Sequence, residues 1–324
     1  MENERILVIG ASGFVGKNLV PELAARNRVT ILVRPTSNID SFKNNTRICI
    51  RYGDLETGRG IVQALQDIDV VVHCAARTMG RTYWEFHRTN VVGTANLLQI
   101  MEERNAAKLL YLSSHAACGP SAGSAPMNEQ QEQTPISFYG RTKKLAEDMI
   151  RNSSLSYVIV RPVSVYGPHD KEILTYIKLL NKGFCPVIGY GHKYLNLIFV
   201  KDLVTLIIKI IERDLFANRT YFANDGRCYS LYSVLASIAS ALGKKSFRIH
   251  IPESFAMFVG LLNDALLPPH KKLVTRDKIR ELACQAWVCS NVRVTKEVNF
   301  QPRYSFEQGI VETIDWYKKH GYLS

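Results

Sequence analysis

The chain has 324 residues, 46% hydrophobic and 22% charged, which excludes a disordered or fibrous protein and gives room for one large α/β unit with a smaller domain appended. Its 41 basic against 29 acidic residues leave a net charge of +12, a bias toward anionic ligands such as nucleotides. The basic residues are scattered without a run of five, so no nucleic-acid partner is expected. The seven cysteines, Cys49, Cys74, Cys118, Cys185, Cys228, Cys284 and Cys289, are odd in number and form no Cys-x-x-Cys pair. They read as reduced thiols of a cytoplasmic protein, with no metal site. The start of the chain lacks the basic head and apolar core of an export signal. The most apolar later stretch, 255–267, is broken by Asn263 and Asp264 and is too short to span a bilayer, which leaves only surface attachment open.

Taken in order, 5–9 is a continuous apolar run and predicts a strand buried on both faces of a parallel sheet. It leads into Gly10-Ala-Ser12-Gly13-Phe14-Val15-Gly16, and then into a helical pattern over 17–26. Strand, glycine turn and helix cradle a pyrophosphate: the glycines let backbone N–H groups approach, and the helix N-terminus supplies positive potential. The second strand, 29–33, ends in Arg34, where an acidic residue would hold the ribose 2′-hydroxyl of NAD(H). An arginine there suits a 2′-phosphate, so NADP(H) is preferred and NAD(H) remains an alternative. Strands at 47–51 and 69–74 are followed by Gly53-Asp54-Leu55 and Ala75-Ala76. Asp54 reads either as a turn residue or as an adenine contact.

A long helical pattern opens at Asn90, and the fifth strand, 108–112, delivers Ser113 and Ser114 to the sheet edge. The stretch 118–135, rich in Gly, Pro, Ser and Gln, reads as a loop able to fold over a site. In 137–143, Ser-Phe-Tyr-Gly-Arg-Thr-Lys, Tyr139 and Lys143 stand four apart and share one helix face. An ammonium beside a phenol should lower the phenol's pKa below its usual value of about 10 and fit it for proton transfer. A sixth strand at 157–162 ends in Pro162, and Val165-Tyr-Gly-Pro168 leaves the sheet. Beyond it come helices at 173–182, 202–213, 231–242, 253–267 and 305–320, with extended segments at 197–200 and 247–251.

These blocks together resemble the extended short-chain dehydrogenase/reductase superfamily, which includes nucleotide-sugar epimerases, dehydratases and 3β-hydroxysteroid dehydrogenase-like enzymes. The resemblance runs through Gly10 to Gly16, Gly53-Asp54-Leu55, Asn90 with Gly93-Thr94, Ser113-Ser114, Tyr139 to Lys143, Arg161-Pro162, Tyr166-Gly167-Pro168 and Val200-Lys-Asp202. It implies a doubly wound parallel (Rossmann) sheet with a smaller C-terminal α/β substrate domain, partly interleaved. Residues 1–165 would bind the dinucleotide, with 192–225 returning to that domain; 166–191 and 226–304 would hold substrate, and 305–324 would form a closing helix. It further implies Tyr139 as acid/base, Lys143 as its partner and ribose ligand, and Ser114 as donor to the substrate oxygen. Gly10, Ser12, Gly13, Phe14, Val15, Gly16, Arg34, Asp54, Leu55, Ala75, Ala76, Asn90, Ser113, Tyr139, Lys143, Pro162 and Val165 would line the cofactor. A homodimer joined through the helices near Asn90 and Tyr139 is also implied.

Within the superfamily, Leu195-Asn196 stands where nucleotide-sugar members carry Arg-Asp, and Cys118-Gly119 where they carry Tyr-Gly. Arg34 and the tail over 275–289 resemble the steroid dehydrogenase and dihydroflavonol reductase branch. The expected reaction is hydride transfer between nicotinamide and a secondary alcohol or ketone. A UDP-sugar 4-epimerase is the alternative, and a cofactor-sensing regulator without turnover is a third reading that the intact Tyr139 and Lys143 oppose. The stretch 255–267 reads as core, or as lining for a lipophilic substrate.

Overall fold

Strands that are apolar at successive positions need cover on both faces, and the chain provides it with two separate cores. In the computed structural model, which describes residues 4–104, 108–245, 247–266 and 275–323, seven strands form one parallel sheet. They are β1 (Arg5–Ile9), β2 (Arg28–Val33), β3 (Ile48–Tyr52), β4 (Val70–His73), β5 (Lys108–Leu112), β6 (Tyr157–Pro162) and a seventh, Arg219–Ala223. Their order across the sheet is β3-β2-β1-β4-β5-β6-seventh, so the direction of winding reverses between β1 and β4. Alternate residues of each strand enter opposite cores. Ile6, Val8, Val72, Leu110 and Val160 pack with the helices Phe14–Ala24 and Val200–Glu212. Leu7, Ile9, Val71, Tyr111 and Ile159 pack with Gly93–Glu103 and Phe138–Arg151. This is the doubly wound fold expected from the apolar runs.

The limits of β1, β5 and β6 fall where the sequence places them, and β2, β3 and β4 differ by a residue at one or both ends. The seventh strand is not predicted. Its sequence, Arg-Thr-Tyr-Phe-Ala, carries an exposed Arg219 at an edge, and only parallel pairing with β6 makes it a strand. The helical pattern predicted from Asn90 is preceded by a short helix, Tyr83–His87, and opens with a π-turn, Arg88–Val92.

Beyond the sheet, Ser164–Tyr166 pairs in parallel with Leu197–Phe199, and Phe184–Ile188 with Phe247–Ile251. Tyr194–Leu195 lies between Tyr229–Ser230 and Ala286–Trp287. Helices Lys171–Asn181, Leu231–Ala241, Glu253–Leu266 and Arg276–Ala283 surround these ribbons; the predicted end of the third at Leu267 lies outside the described residues. The last helix, Phe306–Lys319, starts at a capping box between Ser305 and Gln308 and stops before Gly321 at φ +71°.

Several of the ordered sequence blocks act as joints. Asp202 accepts the N–H groups of Arg303 (3.0 Å) and Tyr304 (3.1 Å), holding the approach to the last helix. Tyr166 is buried against Phe199 and Phe306, and a Cβ at Gly309 would lie 2.3 Å from its hydroxyl oxygen. The 118–135 loop is stapled rather than free. Ser121 N–H donates to Ala286 O (3.0 Å), Met127 N–H to Val288 O (3.0 Å), and Thr134 N–H to Cys118 O (2.8 Å). Among the described residues no helix is long and apolar enough to cross a membrane.

Candidate active site

Each parallel strand ends at the same edge of the sheet, so the turns that follow converge there. At the end of β1, Gly10 has φ +94°, and a Cβ on it would lie 2.6 Å from the backbone N of Ala75, which follows β4. At Gly16 a Cβ would lie 2.3 Å from Gly10 O. Only glycine admits this turn and this approach of helix to strand. The helix Phe14–Ala24 begins at Gly13 without a side-chain cap and without acidic residues in its first turn. Its leading N–H groups, beside Ser12, Phe14, Val15 and Gly16, therefore have no partner within the helix and face the switch between β1 and β4. These residues fit a pyrophosphate.

Arg34 follows β2 as an exposed residue whose carbonyl closes a turn with Ser37 N–H (2.9 Å). Asp54 follows β3; its Oδ1 accepts from Glu56 N–H (2.7 Å), an Asx turn, and Leu55 beside it is buried against Gly93. Ala75 and Ala76 leave β4, and Pro162 closes β6 beside Val165. Ser114 and Tyr139 are neighbours at the same edge, and Lys143 follows Tyr139 by one turn of the helix.

Two residues expected to line the cofactor have their side chains engaged elsewhere. Asn90, in the π-turn, accepts from Arg77 N–H (2.7 Å) and donates to Arg77 O (3.1 Å) and Thr142 Oγ1 (3.0 Å). Its amide pins the segment after β4 to the Tyr139 helix. Ser113 turns its hydroxyl away from the edge and donates to Glu147 (2.5 Å). Glu147 also accepts from Arg161 (2.9 and 2.6 Å), Arg151 (2.5 Å) and Gln133 (3.0 Å). Burial works to raise the Glu147 carboxyl, and the bonds and charge of Arg161, Ser113 and Arg151 bring it below the usual range. This buried network locks the Tyr139 helix to β5 and β6.

Tyr139 and Lys143 share one face of Phe138–Arg151, but the phenol is not lowered as the sequence suggests. Burial pushes Tyr139 up to about 12, with a hydrogen bond from Ser114 pulling against it. Lys143 turns its ammonium beneath the sheet edge, donating to Leu112 O (2.7 Å) and lying 4.0 Å from the centre of the Tyr111 ring. Burial lowers it to about 7, against the pull of Glu147 and Cys74. The chain alone thus holds a protonated phenol beside a serine hydroxyl, with a readily deprotonated lysine behind them.

The helix N-terminus that carries Tyr139 is held from far along the chain. Asp277, on Arg276–Ala283, accepts from Phe138 N–H (2.7 Å) and Tyr139 N–H (3.3 Å). Ser137, the N-cap, donates to Glu281 (2.7 Å). The helix has no acidic residue in its own first turn, so Asp277 supplies the negative charge its dipole favours. Sequence spacing gives no signal for Asp277. Glu147 stands between the apolar residues Ala146 and Met149 of the same helix, and its spacing does not mark it as a partner of Arg161 or Ser113.

The sequence model of the NAD dependent epimerase/dehydratase family matches residues 6–222, from β1 into the seventh strand. The chain belongs to that family. It is an enzyme of the extended short-chain dehydrogenase/reductase superfamily. It is 28% identical to UDP-glucose 4-epimerase of Vibrio cholerae over 76% of this chain and 78% of that protein. It is 26% identical to ceramide reductase of Caulobacter vibrioides over 98% of this chain and 96% of that protein. The dTDP-glucose 4,6-dehydratase of Bacillus anthracis, solved with NAD, superposes with a TM-score of 0.80 at 22% identity, covering 98% of this chain and 97% of that one, and shares the fold.

The lysine makes a pH-dependent contribution with a definite sign. Unfolded, Lys143 keeps its proton to about pH 10.4, whereas folded it releases it near pH 7. Between those values the unfolded chain binds more protons, so the native state gains stability as pH rises. Urea unfolding of the cofactor-free protein should show the parent gaining on Lys143→Met from pH 7 to about pH 10. A difference independent of pH would mean that the ammonium is not buried.

Proposed function

We propose that the enzyme transfers hydride between a nicotinamide dinucleotide and a secondary alcohol or ketone, with Tyr139 exchanging the oxygen's proton and Ser114 steadying that oxygen. The observation that carries this reading is the pairing of a Ser114 hydroxyl with a protonated Tyr139 phenol at the edge where the glycine turn faces the β1–β4 switch. When bound, the dinucleotide supplies the hydride or accepts it. The backbone of Gly10 to Gly16 would hold its pyrophosphate, and Asp54 its adenine end. Tyr139 keeps its proton in the protein alone, which suits proton donation to a carbonyl oxygen. In the opposite direction the phenol must lose that proton; the Ser114 hydroxyl favours the phenolate, and Lys143, four residues along the same face, would assist once its amine turns from Leu112 O toward the phenol. We expect Tyr139→Phe to lower kcat by about 10²- to 10⁴-fold while nucleotide affinity stays near the parent value. Turnover at the parent rate would refute the assignment.

Arg34 favours NADP(H). It is exposed after β2, in the place from which a charge reaches the 2′ position of the adenosine ribose, and a guanidinium there pairs with a phosphate. In calorimetric titration Arg34→Ser should weaken NADPH roughly tenfold to a hundredfold and leave NADH nearly unchanged. Equal losses for both nucleotides would count against a 2′-phosphate contact.

A lipophilic substrate of the ceramide reductase or steroid kind is favoured over a nucleotide sugar. Asn196, in the position where Arg-Asp marks nucleotide-sugar members, spends its amide inside the fold, donating to Arg227 O (2.6 Å) and accepting from Cys289 N–H (2.7 Å). Near Ser114 the wall is aromatic, with His115 packed edge-on between Phe222 and Trp287. The likeness to UDP-glucose 4-epimerase supports the second reading, an epimerase. NAD retained through purification and a melting temperature raised by UDP-sugars would favour it.

A homodimer through the helices flanking Asn90 and Tyr139 suits the exposed apolar residues there, Trp84, Val92 and Leu145. A recess of about 430 Å³ opens beside them, lined by Tyr83, Pro135, Phe138, Arg141, Lys144 and Leu145. In sedimentation equilibrium the parent should run as a dimer and Trp84→Glu/Leu145→Glu as a monomer; a monomeric parent would rule the contact out.

A further inference from the structure

The ribbon of Phe184–Ile188 and Phe247–Ile251 inverts the usual rule that a strand pair with one face on the core shows polar residues on the other. Its register pairs Phe184 with Phe247, Pro186 with Ile249 and Ile188 with Ile251. The alternate residues Cys185 and Val187 are buried in the core, while Arg248 lies over Tyr232 and His250 stacks on Tyr190. The opposite face is therefore apolar at all six positions. Phe184, Phe247 and Ile249 on it are 54%, 76% and 39% exposed.

The helix that follows, Glu253–Leu266, continues this surface. It rests on Arg276–Ala283 at Gly260, where a Cβ would lie 2.7 Å from Ile279 Cδ1, and Ala256 one turn before it is buried. On its other side Phe255, Phe258, Val259 and Leu262 follow i, i+3, i+4, i+7 spacing and are 58%, 54%, 38% and 41% exposed. The stretch expected to be core or substrate lining thus presents an apolar stripe outward.

The charges around this surface identify its occupant. Residues 182–192 and 244–266 hold the basic side chains Lys182, Lys244 and Lys245, with Arg248 on the other face over Tyr232, against the acidic Glu253 and Asp264. The parallel register sets Lys182, Lys244 and Lys245 at the same end of the ribbon, and all three are exposed. A second copy of the chain would bring this basic rim against itself. Acidic lipid headgroups neutralise it, while the aromatic and aliphatic side chains enter the boundary between headgroups and acyl chains.

We propose that this face docks the enzyme on an anionic membrane surface, lying in the interface without crossing it. The inference does not depend on the substrate reading, although it would bring the site to a lipid. The helix beneath the docking stripe is the one whose Asp277 holds the N–H groups of Phe138 and Tyr139, so the surface lies one helix from the acid/base residue.

Flotation of the full chain with phosphatidylcholine vesicles, with and without phosphatidylglycerol, tests the proposal without requiring turnover. The parent should float with the phosphatidylglycerol vesicles, less at high salt, and much less with phosphatidylcholine alone. Phe247→Ser/Phe258→Ser should lower the bound fraction at least about tenfold with an unchanged melting curve, because both side chains are exposed. A parent that stays in solution, or a variant that floats as well as the parent, overturns the proposal. If the parent does not float and the variant instead forms a smaller oligomer, the face is a contact between copies.

Discussion

The buried pair of Glu147 and Arg161 is the interaction on which the site depends. Glu147 is fully covered and Arg161 nearly so, which would cost several kcal/mol for each ion if either stood alone. The cost is offset because the carboxylate is surrounded by donors: Arg161 from β6, Arg151 from its own helix, Ser113 from β5 and Gln133 from the stapled loop. One carboxylate thereby joins four segments. Since Ser113 precedes Ser114, and Glu147 lies two helical turns beyond Tyr139, the network sets the distance between the hydroxyl and the phenol. A hydrophobic pair could fill this volume but would not fix the orientation of the helix in the same way.

Burial also sets the protonation states. It acts in opposite directions on the two groups, keeping the proton on Tyr139 and loosening it from Lys143, because in each case the neutral form is the cheaper one to keep away from water. The simple picture of an ammonium lowering its neighbour's pKa treats the pair as if in water. In the folded chain Lys143 is directed to Leu112 O and the Tyr111 ring, and the hydroxyl of Ser114 is the group that favours the phenolate.

The substrate-side segments take part in this arrangement. Asp277 and Glu281 grip the start of the Tyr139 helix, Ala286 and Val288 hold the 118–135 loop, and Cys289 is tied through Asn196 to Arg227. A shift in the outer helices would be felt at Tyr139 through two hydrogen bonds to backbone N–H groups. The blocks around Tyr166 and Asp202, conspicuous as motifs, are joints that hold the last helix to the body of the protein.

By itself the sequence determined what depends on local pattern. Continuous apolar runs required a sheet covered on both faces, the Gly10 to Gly16 spacing required a tight turn into a helix, and Tyr139 and Lys143 had to share a helix face. Only the tertiary structure decided where side chains with several suitable partners point. Asn90 and Ser113 both lie near the expected cofactor position, yet their polar groups are engaged by Arg77, Thr142 and Glu147. The strand at Arg219–Ala223 exists because β6 offers an edge, and the helix Glu253–Leu266 turns its apolar stripe outward because Gly260 fits closely against Ile279 and Arg276. Periodicity shows that a helix has an apolar face, but which face is covered depends on the shape of the neighbour it meets.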